Sequence, residues 1–351
     1  MHNPHSLTRL PFVTAAFLAA FSLVFGAMDG LASPPVQTVA KVWAAATIAQ
    51  DPTTGVPGGA VAKPDAPGDR NAPAPASRAK PGEAQAAVKL ARERLLKQPG
   101  VTARLVETVT VRDSVFKAEG RYLQGDLSAA ERFLRIELKF TSGGSEGALL
   151  EVCDGDILWT RQKVGADVVI TRRNVTEILK VAKKKNIPVQ FLEFEFGLGG
   201  IPELLGSLDD AIEFTDLKQN TLRDRPVVVV QGKWRPEIWK QITGGRNPAP
   251  PWVPEVCRLY LDEETGFPHW ILYLRRVPDR DRLKSLLSLE FFDVHCGEAP
   301  AASEFKFTPP EREPQVDITD QYLQRLEAAA PSEPENPPAR PGSVFSPAPP
   351  K

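Results

Sequence analysis

About eleven short stretches between residues 102 and 307 alternate apolar and polar residues and are separated by turn-forming residues, which commits the chain to an antiparallel sheet. The first six are TARLVETVTV, FKAEGRYLQ, RFLRIELKF, ALLEVC, DILWTRQ and DVVITRR, and Asp154-Gly155 predicts a tight hairpin between the fourth and fifth. Four more follow after an interval: PVVVVQGKW, VCRLYLDE, PHWILYLRR and LLSLEFFDVH. A last short one, EFKF, precedes Pro309-Pro310. In the third, Leu134, Ile136 and Leu138 alternate with Arg135, Glu137 and Lys139, so one face is buried and the other is wet. So many antiparallel strands predict a strongly curved sheet, either a barrel or a half-open one.

Helices interrupt the strands. Val88, Ala91 and Leu95 mark one that Pro99-Gly100 stops, and Asn174 opens a second, NVTEILKVAKKK, which Asn186 and Pro188 close. Asn174-Val175-Thr176 reads equally as a glycosylation sequon and as a helix cap. A third helix is expected over residues 201–208, and Ile318, Tyr322 and Leu326 mark a final helical turn or two. Ahead of the third lies FLEFEFGLGG, greasy yet broken by Gly197, Gly199 and Gly200, which a packed helix avoids.

The flanks read differently. Arg9, an apolar run over residues 10–28 and the small-residue site Gly30-Leu31-Ala32 predict a secretory signal over residues 1–32. The alternative is an inner-membrane anchor formed by residues 10–28. Residues 33–80 read as a disordered Pro/Ala/Gly-rich spacer, residues 81–329 as the folded unit and residues 330–351 as a disordered Pro-rich tail. The expected location is the periplasm, or outside the cytoplasm more generally.

A net charge of −1 gives no footprint for nucleic acid, and Lys183 to Lys185 reads as a solvated helix face. Gly143-Gly144-Ser145-Glu146-Gly147 fits the pattern of a hydrolase nucleophile elbow, but a strand follows it where a helix is required. With residues 1–32 removed, His269 and His295 are the remaining histidines, both on apolar strands. Glu151, Asp154 and Asp156 surround a hairpin turn, and GLGG at 197–200 has acidic Glu193 and Glu195 beside it, which would repel a phosphate. No catalytic residue, metal ligand or cofactor is expected. The odd count of three cysteines, Cys153, Cys257 and Cys296, argues against a disulfide framework and leaves any single pairing open.

Two motifs resemble the bacterial periplasmic lipoprotein carriers, LolA and its relatives among outer-membrane lipoprotein-sorting proteins. One is CDGDILW, Cys153 to Trp159; the other is EFKFTPPEREPQVDITD, Glu304 to Asp320. The order of export signal, helix, strands, helical insertion and strands agrees over most of residues 82–320. The resemblance implies a mainly β, α+β fold, an unclosed antiparallel half-barrel covered by a helical lid, which binds lipid or lipoprotein acyl chains. The implied cavity is lined by Leu134, Ile136, Leu138, Trp159, Phe194, Phe196, Leu198, Ile201, Leu204, Leu205, Trp270 and Leu272, and Gly197, Gly199 and Gly200 would hinge the lid. The family's lid-latching Arg-Pro is absent; Arg121, Arg132 and Arg135 stand in that region. Partners in this reading are lipid or lipoprotein acyl chains and membrane proteins of either envelope membrane. An envelope sensor or interaction module on the same scaffold is the alternative reading, and an esterase the remote one.

Overall fold

The computed structural model describes residues 80–329, apart from 81, 112–113, 126–132, 143–144, 188–191, 193–195 and 278–281. The signal segment, spacer and tail lie outside the described residues.

Six strands follow one another as hairpins: β1 (Val101–Val111), β2 (Ser114–Gln124), β3 (Phe133–Ser142), β4 (Ser145–Asp154), β5 (Ile157–Val164) and β6 (Asp167–Asn174). Five more do the same: β7 (Ile212–Leu222), β8 (Arg225–Trp234), β9 (Val256–Asp262), β10 (Pro268–Arg276) and β11 (Leu283–Cys296). β1 pairs antiparallel with β11 and joins the two series, and the short β12 (Gln315–Asp317) adds in parallel to β6. The result is one 12-stranded sheet in the order β12-β6-β5-β4-β3-β2-β1-β11-β10-β9-β8-β7, unclosed at β12 and β7.

Turn chemistry fixes the register. At the β4–β5 hairpin Gly155 takes φ 101° while the Asp154 carboxylate accepts from the amides of Asp156 and Ile157 at 3.1 and 2.8 Å. At the β7–β8 tip both Arg223 and Asp224 have positive φ. Arg223 there reaches past the β9–β10 hairpin, donates to the Phe291 carbonyl at 3.1 Å and lies 3.7 Å from the Phe292 ring. The sheet therefore curls at this end.

Helices cover one face. α1 (Glu83–Leu95) buries Ala84, Val88, Ala91 and Leu95, with Glu83 and Arg92/Arg94 at the ends that favour their charges. α2 (Val175–Lys184) is capped by Asn174, whose Oδ1 accepts from Glu177 N at 3.0 Å, so the sequon residues serve as a cap. α3 (Gly200–Ala211) packs on α1, and α5 (Thr319–Ala329) packs on α2 and β6. The intervening α4 is the short Pro236–Thr243 helix, with Pro236 at its first turn.

Three expectations are corrected. β7, β12 and α4 have no counterpart among the expected elements. EFKF does not form a strand: Ala302–Phe305 is a 3-10 turn within a strap that crosses the uncovered face, because its residues anchor individually and the prolines that follow cannot donate to a ladder. Phe305 meets Phe133 and Phe307 meets Trp159, and Glu313 grips Arg161 through two hydrogen bonds of 2.7 and 2.6 Å. The C-terminal helix is also longer than the turn or two expected.

Candidate functional site

The covered face is nearly all apolar, and β3 supplies Leu134, Ile136 and Leu138 to it while Arg135, Glu137 and Lys139 face away. From above come Phe196 and Leu198, on the turn before α3, and Ile201, Leu204 and Leu205 of α3 itself. These eight join one continuous cluster. Phe194 lies outside the described residues.

Trp159, Trp270 and Leu272 are placed on the opposite face. Strand parity decides this: Leu158 and Thr160 point under the helices, so Trp159 between them points away, where it meets Phe307 and the Arg172 guanidinium. Likewise Ile271 and Tyr273 join the main core, whereas Trp270 donates to Ser288 Oγ at 2.7 Å and Leu272 packs with Val256 and Leu274 in a small second cluster. Counting outward from the Gly155 turn would have assigned Trp159. An open groove of about 520 Å³ is lined by the polar residues Thr102, Arg104, Glu119, Arg121 and Asp293 together with Ala103 and Tyr122 of the apolar cluster.

The glycines do different jobs. Gly197 and Gly200 adopt φ 67° and 54°, whereas Gly199 caps α3 at an ordinary φ of −77°. A side chain at Gly200 would sit 2.2 to 2.4 Å from the Gln124 amide group. That contact belongs to a polar clip: Tyr122 Oη donates to Gln124 Oε1 and accepts from Ile201 N at 3.1 Å, and Gln124 Nε2 donates to the Gly199 carbonyl at 3.1 Å. α1 adds Arg92, which donates to the Pro202 carbonyl at 3.1 Å and pairs with Glu203, and Gln85, which donates to Asp209. Of the arginines singled out in the sequence, Arg121 and Arg135 do not hold this segment. Arg121 and Arg135 reach Glu304 of the strap, and Arg132 lies outside the described residues.

Polar groups are few on the covered face. Arg173 donates to Thr160 Oγ1 at 2.7 Å and Tyr322 Oη at 3.2 Å and stands 5.7 Å from the Phe196 ring. Beside it burial pushes the Glu151 carboxyl up to about 7, with Arg173 and Thr160 pulling the other way, and burial alone pushes Glu107 up to about 8. Both folded values lie above that of a free glutamate, so these groups are protonated in either state in acid, and above the free value the folded state resists an ionisation that the unfolded chain makes freely. Their effect on stability is therefore absent in acid and unfavourable in base. Urea unfolding should show stability falling by several kcal/mol between roughly pH 5 and pH 8, and Glu107→Gln should remove more than half of that fall. An unchanged slope in the variant would show that Glu107 is hydrated in solution.

Other candidates have local explanations. Ser145 opens β4 opposite Ser142, and β4 then runs on as a strand to Asp154, which is not the setting of a nucleophile elbow. His269 Nε2 lies 3.1 Å from Asp262 Oδ2; burial works against that carboxylate, but hydrogen bonds from His269 and Thr265 outweigh it and hold it well below its usual range. Asp262 also takes the Glu264 and Thr265 amides, so the pair staples the β9–β10 turn. Among the described residues no group of three His, Cys, Asp or Glu is arranged for a metal. None of the three cysteines is in a disulfide, and Cys153 and Cys257 are buried thiols. Among the described residues no helix is long and apolar enough to cross a membrane.

No family model and no curated protein matches the chain. Among solved structures it is similar to MucB in complex with MucA(peri), at 15% identity over 64% of this chain and 60% of that chain, with a TM-score of 0.29. It is similar to LprF from Mycobacterium bovis at 11% identity over 66% of this chain and 98% of that one, with a TM-score of 0.32. A LolA superfamily protein from Nitrosomonas europaea gives 10% identity over 64% of this chain and 97% of that one, with a TM-score of 0.20. The chain spans under two thirds of the MucB chains it matches, 60% in the complex and 65% for MucB alone.

Proposed function

We propose that this is an exported cell-envelope protein that holds the acyl chains of a lipid or lipoprotein between the covered face of its sheet and the segment carrying Phe196, Leu198 and α3, in the manner of a carrier. The observation that supports it most is the asymmetry of the contacts there. Apolar side chains fill the space, and the turn before α3 is held to the sheet by the Tyr122–Gln124 clip and bracketed by glycines at positive φ. α3 stays docked on α1 through Arg92 and Gln85, and the turn at residues 196–199 is the part that lifts. Burial of an acyl chain would stabilise the complex by about 25 cal/mol per Å² of apolar surface.

A fluorescent acyl probe should bind the full chain one to one. Gln124→Ala, which releases the turn, should speed probe exchange by about tenfold while changing affinity little, because the lost hydrogen bonds are worth about 1 kcal/mol. No probe binding by the parent, together with no acyl lipid in a solvent extract of the purified protein, would end this reading.

A further inference from the structure

Two polar side chains on the covered face stand outside the networks just described. Glu107, between Leu105 and Val109 on β1, is 4% exposed, and its Oε1 has no hydrogen-bond partner. Tyr273 on β10 is 3% exposed, and its Oη has none either. The ladders place them together: Glu107 stands opposite Leu289 and Tyr273 opposite Leu287 on the intervening β11, so they share a face two strands apart and one same-face step out of line. At strand and residue spacings of about 4.8 and 3.3 Å, their backbones are roughly 12 Å apart, a span that the polar end of one lipid can bridge.

A buried polar group without a partner costs about 1 to 3 kcal/mol, and the usual remedy is a neighbour or a guest that satisfies it. Neighbours do not supply it here. The covered-face positions of β1, β2 and β11 around Glu107 are Leu105, Val109, Ala118, Gly120, Leu287 and Leu289, and none can form a side-chain hydrogen bond. No lysine or arginine occupies a covered-face position of β1, of β2 or of the stretch of β11 paired with β1 around Glu107 among the described residues. An anionic guest would therefore enter without a countercharge, at high desolvation cost.

We propose that Glu107 and Tyr273 form the polar end of the acyl site and that the guest is a neutral acyl ester of the acylglycerol type, whose carbonyl and hydroxyl oxygens meet the carboxyl and the phenol. This deepens the acyl-binding reading above and rests on it. The phenol donates to the ester carbonyl. The Glu107 carboxyl, which burial keeps protonated at neutral pH, donates to a second ester or hydroxyl oxygen. An ionised fatty acid of the same chain length satisfies the same donors but brings a charge that no cation beside Glu107 balances, Arg173 standing five strands away on β6.

The test is displacement of a neutral apolar probe, N-phenylnaphthylamine, from the full chain by a monoacylglycerol and by the fatty acid of equal chain length. The parent should bind the monoacylglycerol about tenfold more tightly than the fatty acid at neutral pH. Tyr273→Phe and Glu107→Met, each of which removes a donor, should each weaken monoacylglycerol binding by about tenfold while the neutral probe binds as before. Tyr273→Phe should also raise the melting temperature of the empty protein, since an orphaned hydroxyl is removed without changing shape. If both variants bind the monoacylglycerol as the parent does while the probe still binds, or if the fatty acid is preferred, the ester assignment is overturned and the acyl site stands. If the parent fails to bind the neutral probe, the acyl reading itself fails, and the ester assignment with it.

Discussion

Serine in place of both Leu204 and Leu205 is expected to leave the chain largely unfolded at room temperature. The two side chains are 2% and 0% exposed and lie in the main cluster on the face of α3 turned to the sheet. Removing a buried leucine costs about 2 to 5 kcal/mol, and each new hydroxyl adds about 1 to 3 kcal/mol where no partner waits. The sum, on the order of 6 kcal/mol or more, is comparable with the whole stability of an ordinary domain. Circular dichroism against temperature reads it directly. A melting point within a few degrees of the parent would show that α3 spends most of its time away from the sheet, and the moving cover would then be the whole helix instead of the turn before it.

Alanine at Gly266 should lower stability by about 4 kcal/mol, an unusual penalty for one methyl group in a turn. Gly266 has φ 76°, where a side chain is strained, and its added carbon would fall 2.5 to 2.9 Å from the backbone of Ala91 in α1. Backbone cannot step aside as a flexible side chain can. The β9–β10 turn would have to lift off the helix, taking with it the hydrogen bond from Arg94 to the Glu263 carbonyl. Urea unfolding of the variant measures the loss; a change under about 1 kcal/mol would mean that α1 is not seated against this turn in solution.

Ten strands were legible because their alternation and their turn residues agree, as at Asp154-Gly155. β7 was not, because a bulge between Phe214 and Asp216 breaks its alternation and the rest of this edge strand is half exposed. The strap was misread because FKF alternates like a strand, although it docks ring by ring on Phe133 and Trp159. Of the candidate site, the apolar stripe of β3 and the greasy residues before and within α3 could be read from pattern. The three residues assigned to the wrong face share one cause: large apolar side chains were credited to the covered face, while the strap and a small cluster bury part of the other. Tyr122 and Gln124 were missed because their partners lie far along the chain and no local pattern announces them. Glu107 had a signal, an acid where the alternation of RLVETVTV asks for an apolar residue.

The β1–β11 ladder has a consequence for how the chain reaches this state. Each half of the sheet grows by pairing a strand with the one just made, so both can form quickly from local contacts. The ladder between Val101 and Cys296 instead unites opposite ends of the sequence, and its closure entropy falls due only when the halves meet. It should be the slow, late step of folding. The same geometry means that a cut between residues 187 and 196 severs no hairpin, so two separately made pieces could find each other through β1 and β11, with the short β6–β12 ladder at the far edge as a second join.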